Sequence, residues 1–426
     1  MMDKFFNPKK IAIVGASDIK GKVGNTLVEK LKKFPGKVHY VNNKYEKLFG
    51  EKCWKSLNDI PDKLDLVIIA IPAKNAIDAI KECECRNVII ISAGFGESGN
   101  KILEDELYSA SAQKKIRIIG PNCFGVVNTK IELDTTFSKL SPIAGEISFV
   151  SQSGALWSAI ADYSARYKIG FAKFASLGNM CDVDFSDMLE YLDKDKETSV
   201  IILYIENLKD GVRFMKTAVS VKKPVIAIKG GRSEAGNKAV GSHTGSLAGV
   251  SEIYSSAFKQ CGVIGVNNLG EAIDSAQFLV RYGRIGKRIL VITNAGGPGI
   301  LLSDFLEENG LELAKIPDSV IKKINLPSAW SHNNPIDVLG DAREDRFKEV
   351  FNKVRNENFY DAVVVVMTPQ SMTENITKEI LVFGKPVICA FMGFDSFDAS
   401  ELRKNGILCC FDLERAAKVL RNVSRR

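Results

Sequence analysis

Histidine is scarce in this chain: three residues, His39, His243 and His332, among 426. Chemistry that needs an imidazole therefore has three candidates. No apolar run reaches the roughly 20 residues that a membrane-spanning helix requires, so no membrane association is expected. The nine cysteines lack zinc-type spacing. Cys83-Glu84-Cys85 and Cys409-Cys410 stand too close together and too isolated for a tetrahedral site, so no metal site is expected. Free cysteines at this density suit a reducing compartment, and a cytoplasmic location is expected. The opening Met1-Met2-Asp3-Lys4-Phe5-Phe6 leads into a strand and lacks a signal-peptide core. The net charge is +7, but the basic residues are dispersed and no aromatic-interleaved stripe occurs. That pattern argues against a nucleic-acid partner and suits small anionic ligands such as phosphates.

What is present is an alternation of strand and helix. Hydrophobic residues are 45% and charged residues 26%, enough for a sizeable core in two to four domains. Lys10 to Val14, Lys37 to Val41, Asp65 to Ile71, Asn87 to Ile91 and Ile116 to Ile119 read as strands separated by helices. Continuous apolar strands of this kind build a parallel sheet covered on both faces. A second unit starts near Gly145, with strands at Ile147, Phe171, Ser199 and Val225. A weaker strand, Val263 to Val266, and a helix from Leu269 to Tyr282 close it. A third opens at Lys287, with strands at Arg288, Asp361 and Pro386. The expected domains are 1–128, 145–285 and 286–426.

Ligands in such sheets bind beyond the carboxyl ends of the strands. The first turn, Gly15-Ala16-Ser17, is followed by glycines at 21 and 24, which is not dinucleotide spacing. An NAD site also wants an acidic residue at the tip of the second strand. That tip is Asn42-Asn43-Lys44, which favours a ligand with a phosphate near its ribose, such as CoA or NADP. A purely structural glycine turn fits the same residues. Ser151-Gln152-Ser153-Gly154-Ala155, between strand and helix, offers backbone N–H groups and a helix dipole to an anion, or an ordinary serine cap. Glu206 ends a strand in the same unit as His243. A carboxylate there could fix an imidazole tautomer, or simply face solvent. His243 lies in Gly241-Ser242-His243-Thr244-Gly245-Ser246-Leu247-Ala248-Gly249. Residues 230–249 show no apolar periodicity and are expected to form one long mobile loop. Asn294 to Gly299 could cradle an anion or form a tight structural turn, and Asn334 to Asp337 reads as a turn that His332 serves. His39 falls inside a strand, where packing is its expected role.

Taken together, Gly15-Ala16-Ser17, Lys44, Gly120-Pro121-Asn122-Cys123-Phe124-Gly125, Ser151-Gln152-Ser153-Gly154 and Gly241-Ser242-His243-Thr244-Gly245 occur in the order seen in nucleoside-diphosphate-forming acyl-CoA synthetases. The chain resembles the α subunit of the ADP-forming acetyl-CoA synthetases, relatives of the succinyl-CoA synthetases. The resemblance to the latter covers the first two units, and the third is what the former add. It implies an α/β fold: a CoA-binding Rossmann-like domain followed by two flavodoxin-like parallel-sheet domains. It implies that Gly15, Ala16, Ser17, Asp18, Ile19, Lys20, Lys44, Ser92, Ala93, Gly94 and Asn122 line a site for CoA, a substrate. Ser151, Gln152, Ser153, Gly154 and Ala155 would hold phosphate. His243 would be phosphorylated in the cycle, with Glu206 as its carboxylate partner. Acyl-CoA, ADP and phosphate would give acid, ATP and CoA. No stretch resembles the ATP-grasp domain that binds nucleotide in this family. Mg-ADP or Mg-ATP is therefore expected on a separate ATP-grasp β subunit, in an α2β2 or similar assembly. Two departures stand out. Asn43 occupies a position that is often proline in relatives. Ser158 stands where succinyl-CoA synthetases carry a tyrosine, which speaks against succinate. Two readings from other classes stay open at this level: a non-catalytic CoA-binding regulator and a nicotinamide-dependent oxidoreductase.

Overall fold

The computed structural model describes residues 2–244, 251–393 and 397–425, those of 242–244 by backbone alone. They fall into two compact units, Met1–Asn267 and Asn268–Arg426.

The first unit holds two sheets. Strands β1 (Lys10–Val14), β2 (Lys37–Val41), β3 (Lys47–Leu48), β4 (Glu51–Trp54), β5 (Leu66–Ile69), β6 (Asn87–Ile90) and β7 (Arg117–Ile119) form one of them. Their order is β3-β4-β2-β1-β5-β6-β7, parallel except at β3. Leu66 to Ile69 and Val88 to Ile90 are buried at every position, as unbroken apolar runs between two helical layers must be. The chain steps from β1 out to β2 and returns across β1 to β5, so a crevice opens where β1 and β5 end. Gly15 leaves β1 with φ +95°, and a Cβ there would sit 2.5 Å from the Ala70 carbonyl. Only glycine lets the two strand exits pass this closely. Gly24, near the start of helix Val23–Leu31, in turn abuts the Gly15 carbonyl.

The second sheet comprises β8 (Val126–Asn128), β9 (Leu133–Asp134), β10 (Ala144–Ser151), β11 (Phe171–Ser176), β12 (Val200–Ile205), β13 (Val225–Lys229) and β14 (Ile264–Val266). Its order is β14-β13-β12-β10-β11-β8-β9, with β8 and β9 antiparallel at one edge. The chain goes from β10 to β11 on one side and then to β12 on the other, so this sheet reverses beyond Ser151. Trp157, on helix Ala155–Tyr167, stacks on Phe174 at 4.1 Å and seals the helix to the sheet.

Val126–Asn128, at the end of the expected first domain, pairs with β11 as an edge strand of the second sheet. A three-residue antiparallel edge strand has too few positions to show a period. The long loop expected at 230–249 is corrected in part, because Glu234–Thr244 is helical. Its sequence lacks an apolar stripe, but local terms support it: Ser233 Oγ accepts from Gly236 N at 3.1 Å, and Glu234 pairs with Lys238 one turn on at 2.8 Å.

The second unit is a six-stranded sheet of β15 (Arg288–Thr293), β16 (Glu312–Leu313), β17 (Ile336–Asp337), β18 (Ala362–Met367), β19 (Val387–Phe391) and β20 (Leu408–Cys410). Its central order is β16-β15-β18-β19-β20, with β17 pairing β15. Helix Leu269–Tyr282 falls in this compact unit. Its buried Glu271 accepts from Arg421 at 3.1 Å and from Asn422 at 2.9 Å, and its buried Asp274 pairs with Arg415. Buried carboxylates need such partners, and these stand on the C-terminal helix Leu413–Val423. No helix among the described residues is long and apolar enough to cross a membrane.

Candidate active site

At the carboxyl edge of the first sheet, Asn42 fastens the tip of β2 to the first turn. Its amide donates to the Ala16 carbonyl at 2.8 Å, and its Oδ1 accepts from Lys44 N at 3.0 Å. The tip thus carries no carboxylate, and the Lys44 side chain is left exposed. Ser17 is buried and its Oγ accepts from Ile19 N at 3.1 Å, which turns Asp18, Ile19 and Lys20 outward. Ser92 Oγ donates to the Ile71 carbonyl, and the Ser92 carbonyl accepts from Asn122 N at 2.9 Å. Gly94 approaches Ala73, at the start of the helix after β5. Gly15, Ala16, Ser92, Gly94 and Asn122 are therefore gathered on one edge, with exposed Ala93 beside them.

At the reversal of the second sheet, helix Ala155–Tyr167 starts at Gly154 without a side-chain cap. Its first N–H groups and its dipole are disposed to meet an anion. Ser153 and Gly154 are half-buried and Ala155 is exposed. A Cβ on Gly154 would lie 2.5 Å from that of Phe124, so glycine brings the helix start against the 120–125 loop. Ser151 and Gln152 depart from expectation. Ser151 is fully buried and its hydroxyl donates to the Ser153 carbonyl at 2.7 Å. Gln152 spends both donor groups inside the protein, its backbone N on the Tyr204 carbonyl at 3.2 Å and its amide on Asn207 Oδ1 at 3.2 Å. Its Oε1 accepts from Glu206 N at 2.6 Å and Asn207 N at 2.9 Å. Gln152 thus ties β10 to β12, as burial requires its polar atoms to be paired.

Glu206 is buried beyond β12. Its backbone carbonyl accepts from Lys229 Nζ at 2.8 Å, and the Gly230 carbonyl takes a second N–H of that ammonium. The ammonium lies 4.8 Å from the Tyr254 ring centre. Burial pulls Lys229 below the ordinary lysine value, and the Glu206 carboxylate offsets part of that. Burial, then the same carboxylate, pushes the Tyr204 phenol up. His243 falls in the last turn of helix Glu234–Thr244. Its side chain lies outside the described residues, as does 245–250, so the expected Glu206–His243 pairing falls there too. Of the other histidines, His39 is buried in β2 and bonds Asp62 at 3.0 Å. His332 packs against Trp330 within its turn, ring centres 4.4 Å apart.

The two edges meet. Asn122, from the first sheet's last loop, donates to Asn179 Oδ1 at 3.3 Å, beyond β11. Asn179 in turn donates to Glu97 Oε2 at 2.6 Å, just past Gly94. Sequence reasoning missed both Glu97 and Asn179. Each is an ordinary polar residue after a strand, and no local pattern links positions 82 apart.

Two family models match within the chain: a CoA binding domain over residues 9–129 and a succinyl-CoA ligase like flavodoxin domain over 144–279. The chain is 42% identical to the α subunit of ADP-forming acetate–CoA ligase II of Pyrococcus furiosus, over 96% of this chain and 94% of that subunit. This chain is an ADP-forming acetate–CoA ligase family member. It is also 41% identical, over its whole length, to ADP-forming acetate–CoA ligase I of Archaeoglobus fulgidus, of which it spans 63%. Among solved structures it matches the acetyl-coenzyme A synthetase 1 of Ca. Korarchaeum cryptofilum in complex with phosphate and ADP. The TM-score is 0.94 at 34% identity, over 99% of this chain and 96% of that one. The CoA binding domain model thus falls on the Rossmann-like sheet and the succinyl-CoA ligase like flavodoxin model on the second sheet.

Proposed function

We propose that this chain is the α subunit of an enzyme that turns acetyl-CoA or another acyl-CoA, ADP and phosphate into acid, ATP and CoA. The observation that carries the reading is the meeting of two strand-end edges in one compact unit. One edge has Lys44 exposed and no carboxylate at its tip; the other has an uncapped helix start at Gly154. CoA lies along Gly15 to Lys20, Lys44, Ser92 to Gly94 and Asn122. Phosphate lies at Ser153, Gly154 and Ala155, where backbone N–H groups neutralise its charge. A phosphate oxygen attacks the thioester carbonyl, the carbon–sulfur bond breaks, and CoA leaves as a thiolate that takes up a proton. The product is an acyl phosphate. A His243 ring nitrogen then attacks phosphorus, and the acid departs as carboxylate. Glu206 orients the imidazole and balances the charge it acquires.

Nucleotide chemistry belongs to a separate ATP-grasp β subunit. Supporting this is the match to a protein named as an α subunit nearly from end to end. Magnesium bound with ADP on that subunit would spread the charge of the transferred phosphoryl group. The assembly is α2β2 or similar. A cytoplasmic location fits nine cysteines that are all free thiols.

The test is to incubate the α–β complex with labelled phosphate and acetyl-CoA, then map the acid-labile label by peptide. Label on His243 and its loss in His243→Asn, with CoA binding retained, are expected. Normal turnover in His243→Asn would sink the relay and leave a CoA-binding regulatory protein.

A further inference from the structure

We infer that Glu97 and Asn179 are positioning residues that hold the CoA-side loop in register with the phosphate-side helix; the inference rests on the α-subunit reading above. Glu97 sits in the single turn Gly96–Ser98. One carboxylate oxygen accepts from Gly94 N at 2.5 Å and Phe95 N at 3.1 Å, which curls the loop that follows Ser92. The other accepts from Asn179 Nδ2 at 2.6 Å. The same Asn179 amide reaches Glu104 Oε2 at 2.7 Å, and that oxygen also accepts from Gly96 N at 3.3 Å. Burial alone would raise the Glu97 carboxyl; the Asn179 amide and the Gly94 and Phe95 N–H groups outweigh it and hold it below the ordinary glutamate value. The pairing is thus between an ionised carboxylate and an amide, the stronger kind of hydrogen bond.

Asn179 is itself tightly placed. Its N donates to the Pro121 carbonyl at 3.0 Å, and Leu177 N, two residues earlier, donates to the Ser151 carbonyl at 2.8 Å. A shift of the Gly96–Ser98 turn against Asn179 is therefore a shift of Gly94 against the strand exit that launches the phosphate-side helix. Helix Glu234–Thr244, which carries His243, also packs on this turn. The Glu97 turn is the junction of three elements that the reaction needs in fixed relation. Attack of phosphate on a thioester demands that relation, since a misplacement of about 1 Å can cost on the order of a hundredfold in rate.

The closing experiment compares wild type, Glu97→Gln, Asn179→Ala and the double variant as α–β complexes. It measures CoA affinity by calorimetry and kcat for acetyl-CoA, ADP and phosphate. Glu97→Gln keeps an acceptor for the Gly94 and Phe95 N–H groups but turns an NH2 toward the Asn179 NH2. CoA affinity is expected to stay within about twofold while kcat falls about tenfold or more. Asn179→Ala, which also removes the Glu104 bond and the acceptor for Asn122, should lose at least as much kcat, and the double variant should be no worse than Asn179→Ala, because the Glu97–Asn179 bond is already gone there. Glu97→Ala, which also frees the Gly94 loop, should weaken CoA as well. Unchanged kcat in Glu97→Gln, losses that multiply in the double variant, or equal loss of CoA affinity in Glu97→Gln and Glu97→Ala would overturn the positioning role alone. Wild type that binds no CoA would overturn the α-subunit reading, and this inference with it.

Discussion

Gln152 Oε1 lies 2.6 Å from the backbone nitrogen of Glu206, and this bond sets where the strand-end carboxylate begins. The same oxygen serves Asn207 N at 2.9 Å. Gln152→Leu keeps the bulk but strands both N–H groups in a buried place. Each should cost about 1–3 kcal/mol. The urea midpoint should fall clearly, and Gln152→Glu, which keeps the acceptor, should lose less. Equal midpoints for Leu and Glu would show that the two N–H groups find other acceptors.

Lys44 is held at the tip of β2 by its own backbone bond to Asn42, so its ammonium can move while its Cα cannot. Lys44→Glu places a carboxylate where the proposed CoA site would bring phosphates. Like-charge juxtaposition at a site costs on the order of a few kcal/mol. Calorimetry should show CoA weakened severely and the unfolding midpoint unaltered, because the side chain is exposed. Undiminished CoA affinity would remove Lys44 from the site.

His39 reports on pH. Burial lowers its pKa below the ordinary 6.5, the Lys37 charge adds to that, and the Asp62 hydrogen bond opposes it; Lys10 lowers it further. A folded-state value below the unfolded one means that the unfolded chain binds the extra proton. The contribution to stability is therefore complete above pH 6.5 and is lost as pH falls through the folded-state value. Between pH 7.5 and pH 5 the wild-type urea midpoint should fall more steeply than that of His39→Gln. Parallel slopes would show that His39 titrates normally in the folded chain.

Much of the fold was legible in the sequence. Leu66–Ile69, Val88–Ile90 and Ala362–Met367 are runs of apolar residues that suit a doubly covered parallel strand. Glycine at 15 was visible as a turn, and the absence of an acid at the Asn42 tip favoured a ligand with a phosphate near its ribose. The order of the motifs named the family. Misread parts were those whose support is not periodic. Helix Glu234–Thr244 rests on a cap and an ion pair and not on an apolar stripe, and β8 is three residues long.

Composition and pattern alone determined where the long central strands fall and that they are apolar, and pointed to strand ends rich in small residues as the candidate site. A period reports a face and never its partner. Only the tertiary structure decided that Gln152 would turn inward to Glu206, that Glu271 would find Arg421 and Asn422, and that Glu97 would meet Asn179. The reason is that a buried polar group is satisfied by whichever donor or acceptor the packing of remote segments brings within about 3 Å, and nothing local to the chain encodes that distance.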